Sequence, residues 1–191
     1  IGYVNHHLSL YSMRGERKRD YPANLFYQQP WWEDERGFAD YIARLSKAAT
    51  EGVRDVDILI LHPISSFWSE YSPLHVKGGD PPEQITYDRP FQALSRQLLE
   101  RKLDYHYGDE ILIEEEGSVK DGRFSIGRHS YGIVVVPPSL TLRENTWKLL
   151  NSFAETGGRL LFLQPAPTLS DSAREVSGLP ASAKVVNSVE A

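Results

Sequence analysis

From about residue 53 onward the sequence predicts an α/β domain, with a doubly wound, mostly parallel sheet as the middle of three layers. Three observations carry this expectation. First, Asp57 to His62, Gly132 to Pro137 and Arg159 to Leu163 are nearly continuous apolar runs, as strands buried on both faces read. Second, segments of helical period alternate with them, and strand–helix–strand in series folds with right-handed crossovers. Third, 191 residues with 40% hydrophobic and 25% charged residues can enclose a sizeable core. That length fits one domain, or one domain and a piece of another.

Taken in order, Ile1 to Asn5 reads as a short strand, and residues 8–30 as an irregular loop rich in charge and aromatics. A helix should follow. Pro30 suits its first turn, Glu33, Asp34 and Glu35 favour its positive end, and Trp31, Phe38, Ile42, Leu45 and Ala49 share one face. Gly52 closes it. The strand Asp57 to His62 leads into a long connection over residues 63–86. A helix from about Arg89 to Lys102 puts Phe91, Leu94 and Leu98 inward, and a short strand spans Asp104 to Tyr107. An acidic helix or turn, Asp109 to Glu116, and an extended piece, Arg123 to Ile126, precede the strand at Gly132. Thr141 and Glu144 have capping-box spacing, which places a helix start at Thr141 and an inner face of Trp147, Leu150, Phe153 and Ala154. Gly157 and Gly158 stop that helix, and the far end, Ala183 to Ala191, reads as a further strand with the start of a helix after it. The order of elements is flavodoxin-like or class I glutamine amidotransferase-like.

Composition narrows the function. The formal charge is −5 and the pI about 5.7, which argues against a general nucleic-acid or anionic-membrane surface. No stretch reaches the length of a membrane span. The absence of cysteine removes disulfides, thiolate zinc sites and every cysteine nucleophile, including the one an active amidotransferase of this fold needs.

Doubly wound sheets bind ligands at the carboxyl ends of their strands. The polar groups placed there are His62, Ser65, Ser66 and Gln164, the pocket candidates of this domain. Ser65 and Ser66 follow a strand as phosphate-binding hydroxyls do. No glycine lets backbone amides approach an anion, however, and turn or capping roles are favoured. Neither Gly-x-Gly-x-x-Gly nor Gly-x-x-x-x-Gly-Lys occurs, so no nucleotide or flavin cofactor is expected. Around Ser125, Gly122 and Gly127 are one residue too far apart for a nucleophile elbow.

His6 and His7, adjacent on a strand, face opposite sides and cannot chelate one metal together. His106, Asp109, Glu110 and Glu114 to Glu116 have the chemistry to hold a cation, but a charge run of this kind is more often a solvated face. His129 and His75 have no partner pattern. The stretch from Tyr11 to Pro22 carries four basic residues in six positions, followed by Trp31 and Trp32. Three readings stay open: an ion-paired structural loop, a wall of a sugar site, or a base-stacking surface.

The run His7-Leu8-Ser9-Leu10-Tyr11-Ser12-Met13-Arg14-Gly15-Glu16-Arg17-Lys18-Arg19-Asp20-Tyr21-Pro22 resembles a segment of large bacterial glycoside hydrolases of the α-L-rhamnosidase type, glycoside hydrolase family 106 and its relatives. Gln29 to Trp32, Asp40 to Leu45, His62-Pro63 with Trp68, Asp104-Tyr105, Asp109-Glu110 and Ile126-Gly127 continue the pattern. In such enzymes a catalytic barrel precedes an amidotransferase-like or β-galactosidase-trimerisation-like domain without amidotransferase activity. The resemblance implies that residues 1–52 are the last strand, loop and helix of a (β/α) barrel, and that residues 53–191 are the accessory domain. The chain would then be a segment of a longer polypeptide. His6, His7, Tyr11, Arg14, Trp31 and Trp32 would lie near the sugar. The catalytic carboxyl pair would come from earlier barrel strands, so no catalytic residue is assigned within the chain. Carbohydrate, the upstream barrel and further copies of the chain are the implied partners. No nucleic acid, membrane, metal or cofactor is implied. An association surface built on Trp31, Trp32 and Trp68, or a free-standing ligand-binding domain, is the alternative.

Overall fold

The computed structural model of the chain describes residues 26–72 and 87–187. The chain divides into two compact units, residues 1–55 and 56–191. The expected first strand and residues 8–25 of the charged loop, with His6, His7, Tyr11 and Arg14, lie outside the described residues.

In the first unit a 3₁₀ turn, Trp32–Asp34, runs into helix α1, Glu35–Thr50. The helix carries Phe38, Ile42, Leu45 and Ala49 as the apolar spacing placed them, but it starts later than expected, with Pro30 and Trp31 in the turns before it and not in its first turn. Its start is acidic, with Glu33, Asp34 and Glu35 near the positive end of the dipole. Ion pairs one turn apart, Arg36–Asp40 and Lys47–Glu51, sit on its polar side. None of its residues is buried. On its apolar face Phe38 is 53% exposed and Leu45 44%.

The second unit is built on a five-stranded parallel sheet. Its strands are β1 (Ile58–Leu61), β2 (Tyr105–Gly108), β6 (Ile133–Val136), β8 (Arg159–Leu163) and β10 (Lys184–Val186). In space they run β10-β8-β6-β1-β2. Counting only these strands in chain order, the arrangement is 2-1-3-4-5, the flavodoxin-like order, with its switch point between β1 and β6.

Because alternate strand residues face opposite sides, the apolar runs supply two cores. On one side Ile60, Val135 and Leu163 meet Leu94, Phe91 and Leu98 of helix α3, Asp88–Glu100. On the other, Leu59, Leu61, Val134, Val136 and Phe162 meet Trp147, Leu150, Phe153 and Ala154 of helix α5, Glu144–Glu155. The result is a three-layer α/β unit.

Between β2 and β6 the expected helix is present as α4, Glu110–Glu116, followed by an antiparallel meander of β3 (Gly117–Lys120), β4 (Arg123–Ile126) and β5 (His129–Tyr131). Gly117 is required where α4 gives way to β3, since a Cβ there would lie 2.2 Å from the Ile113 carbonyl oxygen. Asp57, just before β1, fastens the meander to the sheet. Its carboxylate accepts from Arg123 Nη1 at 2.6 Å and from the Gly132 amide at 2.9 Å.

Two expectations are corrected. Residues 63–86 are not all connection, because Ile64–Glu70 forms a short helix, α2. The capping box is absent, because Thr141-Leu142 is extended as β7, paired in parallel with β9, Leu169–Ser170. Helix α5 therefore starts at Glu144, with Arg143 as its N-cap and no side-chain cap from that residue. Glu144 is engaged by Ser172, whose hydroxyl donates at 2.6 Å, and by Arg174. Among the described residues no helix is long and apolar enough to cross a membrane.

Candidate functional site

Strand β1 delivers His62 to the carboxyl end of the sheet, where its amide donates to the Gly108 carbonyl at 3.0 Å and prolongs the β1–β2 pairing. The chain then turns into α2. Here lies a cavity of about 180 Å³ lined by His62, Pro63, Ile64, Phe67, Tyr87, Asp88 and Phe91. The His62 ring is 5.3 Å from that of Phe91, which is 5.2 Å from Tyr107. Among the described residues neither ring nitrogen of His62 has a hydrogen-bond partner. Asp88 Oδ2 accepts from Gln92 Nε2 at 2.8 Å, one helical turn on. Burial, and then the charge of Glu70, hold the Tyr87 phenol above the ordinary tyrosine range, so it stays a protonated donor.

The other strand-end candidates have different surroundings. Ser65 is half-buried, is not part of the cavity lining, and makes no side-chain hydrogen bond to the described residues. Ser66 is fully buried and turned to the switch point. Its Oγ accepts from the amides of Leu140 at 2.9 Å and Thr141 at 3.1 Å. Amides that would face an anion in this crevice are therefore already bonded. Gln164 follows β8 on the surface, where its Oε1 accepts from the Ala166 amide at 3.1 Å. It does not reach the cavity lining. Trp31 and Trp32 begin the first unit's helical segment with 46% and 44% of their surface exposed. Trp68, on α2, is exposed as well.

The acidic segment is divided between two capping roles. Asp109 Oδ1 caps α4, accepting from the Ile111 amide at 2.8 Å. Glu110 is only 2% exposed and caps a different helix: its Oε1 accepts from the Arg143 amide, at the N-cap of α5, at 2.7 Å. Thr146 lies beside it, but Glu110 Oε2 and Thr146 Oγ1 are buried without a well-formed hydrogen bond. Burial raises the Glu110 pKa, outweighing the lowering by the Arg143 amide, the Thr146 hydroxyl and the Arg143 charge. Among the described residues no group of three or more His, Asp or Glu side chains is placed to hold a metal ion. Sequence reasoning also missed a small cluster in which His106 Nδ1 and the Tyr131 hydroxyl are 3.0 Å apart and the His106 and His129 rings 4.7 Å apart.

The Glu110 environment sets the sign of a pH effect. A carboxyl whose folded pKa is raised contributes stability that is complete below its unfolded value, about 4.5, and is lost as pH rises through the folded value. The expected result is that Glu110→Gln, which stays neutral and keeps an acceptor for Arg143, gains on the native protein as pH rises from 4.5 towards 7. Urea denaturation across that range measures it. A constant difference between the two proteins would refute the assignment. Glu144, whose pKa is lowered by the Ser172 hydroxyl, works in the opposite direction in both proteins.

The architecture defines a doubly wound α/β unit with a strand-end cavity. No protein-family model matches the chain, and no curated protein matches it in sequence. In three dimensions it is similar to the solved structure of Gan42B, a GH42 beta-galactosidase, with 16% identity and a TM-score of 0.52. The match covers 79% of this chain and 19% of that one, so the chain spans about a fifth of the beta-galactosidase. The fold is therefore one that a glycoside hydrolase contains.

Proposed function

We propose that the chain is the non-catalytic C-terminal portion of a glycoside hydrolase acting on carbohydrate. On this reading residues 1–52 finish a catalytic (β/α) barrel, and residues 53–191 support that barrel and its assembly. The finer assignment is to the α-L-rhamnosidase type, on the resemblance of residues 7–22 and the segments that follow. The observation that carries the proposal is the fold likeness to a glycoside hydrolase of which this chain would be a minor part.

His6, His7, Tyr11, Arg14, Trp31 and Trp32 would contribute to the sugar-facing wall of the parent enzyme. Hydrolysis itself needs two carboxyl groups flanking the scissile bond, which the missing barrel strands would supply. Two measurements test this. The chain alone should release no aryl alcohol from a panel of aryl glycosides, and the reading frame upstream of Ile1 should encode a barrel with acidic residues at two strand ends. Turnover by the chain, or an upstream sequence without a barrel, would overturn the proposal.

A further inference from the structure

We infer that the cavity beyond β1 is a binding site for a small planar aromatic molecule carrying one hydroxyl, a ring of phenol size. Three features of the site lead there. Its volume is about 180 Å³, the share of on the order of six water molecules, so the occupant is a single ring. Its apolar lining is rich in flat rings: Phe67 of α2 and Phe91 of α3, together with Pro63 and Ile64. Aromatic faces of this kind hold another ring by offset or edge-on packing.

Hydrogen-bonding capacity then decides which ring. A pyranose carries several hydroxyls, and each one buried without a partner costs about 1–3 kcal/mol. Three polar side chains reach the cavity, and Asp88 already spends Oδ2 on Gln92. What is left is Asp88 Oδ1 as acceptor, the Tyr87 hydroxyl as donor and, among the described residues, the unbonded nitrogens of His62. A phenolic hydroxyl is matched by the carboxylate and the imidazole, donating to the first and accepting from the N–H of the second, and Tyr87 adds one donor beside them. A sugar ring would leave most of its hydroxyls against phenylalanine. The inference does not depend on the glycoside-hydrolase reading, since it uses only the cavity's own groups.

The test is an NMR titration of the whole labelled chain with phenol, toluene and galactose. Phenol should shift His62, Phe67 and Phe91 saturably and bind about tenfold more tightly than toluene. Asp88→Ala should remove most of that preference while toluene still binds, because alanine suits the first turn of α3 and the apolar walls remain. Ile64→Trp, which fills the space, should abolish binding of both. The inference is overturned if phenol produces no saturable shift at millimolar concentration, if toluene binds as well as phenol, or if galactose shifts these residues and phenol does not.

Discussion

Replacing Phe153 by alanine is expected to lower the melting temperature by on the order of 10 °C. The ring is fully buried on α5, edge-on to Phe124 of β4 at 5.8 Å and 82°. Removing a buried phenylalanine costs about 3–5 kcal/mol, the lost transfer energy adding to the cavity left behind. For a chain of this size each kcal/mol moves the midpoint by about 2–4 °C. Collapse around the vacancy is restricted. Gly158 runs so close to the ring that a Cβ there would lie 2.2 Å from Phe153 Cε2, which leaves backbone on one side of the gap and the sheet on another. Thermal unfolding followed by circular dichroism checks this, and a fall below about 2 °C would show that the packing described for this face of the sheet is wrong.

Ser66→Ala is expected to cost at least about 3 kcal/mol, more than an ordinary serine substitution. The hydroxyl serves two amides at once, those of Leu140 and Thr141, and donates to the Thr141 carbonyl at 3.3 Å. Alanine leaves these groups without a partner in a place where water has no room, at about 1–3 kcal/mol for each unsatisfied group. The neighbouring Ser65→Ala is the control and should be nearly neutral, since its side chain makes no such bonds. Urea midpoints at unchanged slope separate the two. Equal effects at the two positions would mean that the crevice between β1 and β6 is held by something other than this hydroxyl.

The parts of the fold legible in the sequence were those in which one segment decides its own structure. Strands β1, β6 and β8 are apolar on both faces and were placed to within a residue, as was the more polar β2. Helix α3 was also evident from its spacing, although its end is set by Lys102, which adopts a positive φ of 59°. The failures were decided by distant partners. Thr141 has the spacing of a cap, but pairing with Leu169 draws it into a strand, and Glu110 from another helix then occupies the N-cap amide. Helix α2 has weak propensity of its own and is held through Ser66. Of the meander, only β4 was visible, because β3 and β5 lack clear alternation. At the cavity, His62 was legible as a residue following a buried strand. Asp88 and Phe91 were not, because their part in it depends on where α3 comes to rest.

The place of β1 between β2 and β6 has a consequence during synthesis. Both of its neighbours emerge from the ribosome after it, and β6 only after α2, α3, α4 and the whole meander. Ile58–Leu61 can gain β2 on one side early, but its other hydrogen-bonding edge waits as an adhesive ribbon until β6 has been translated. Pairings this remote along the chain form slowly. Early translational pauses in this domain would prolong the interval in which chaperone shielding decides between folding and aggregation.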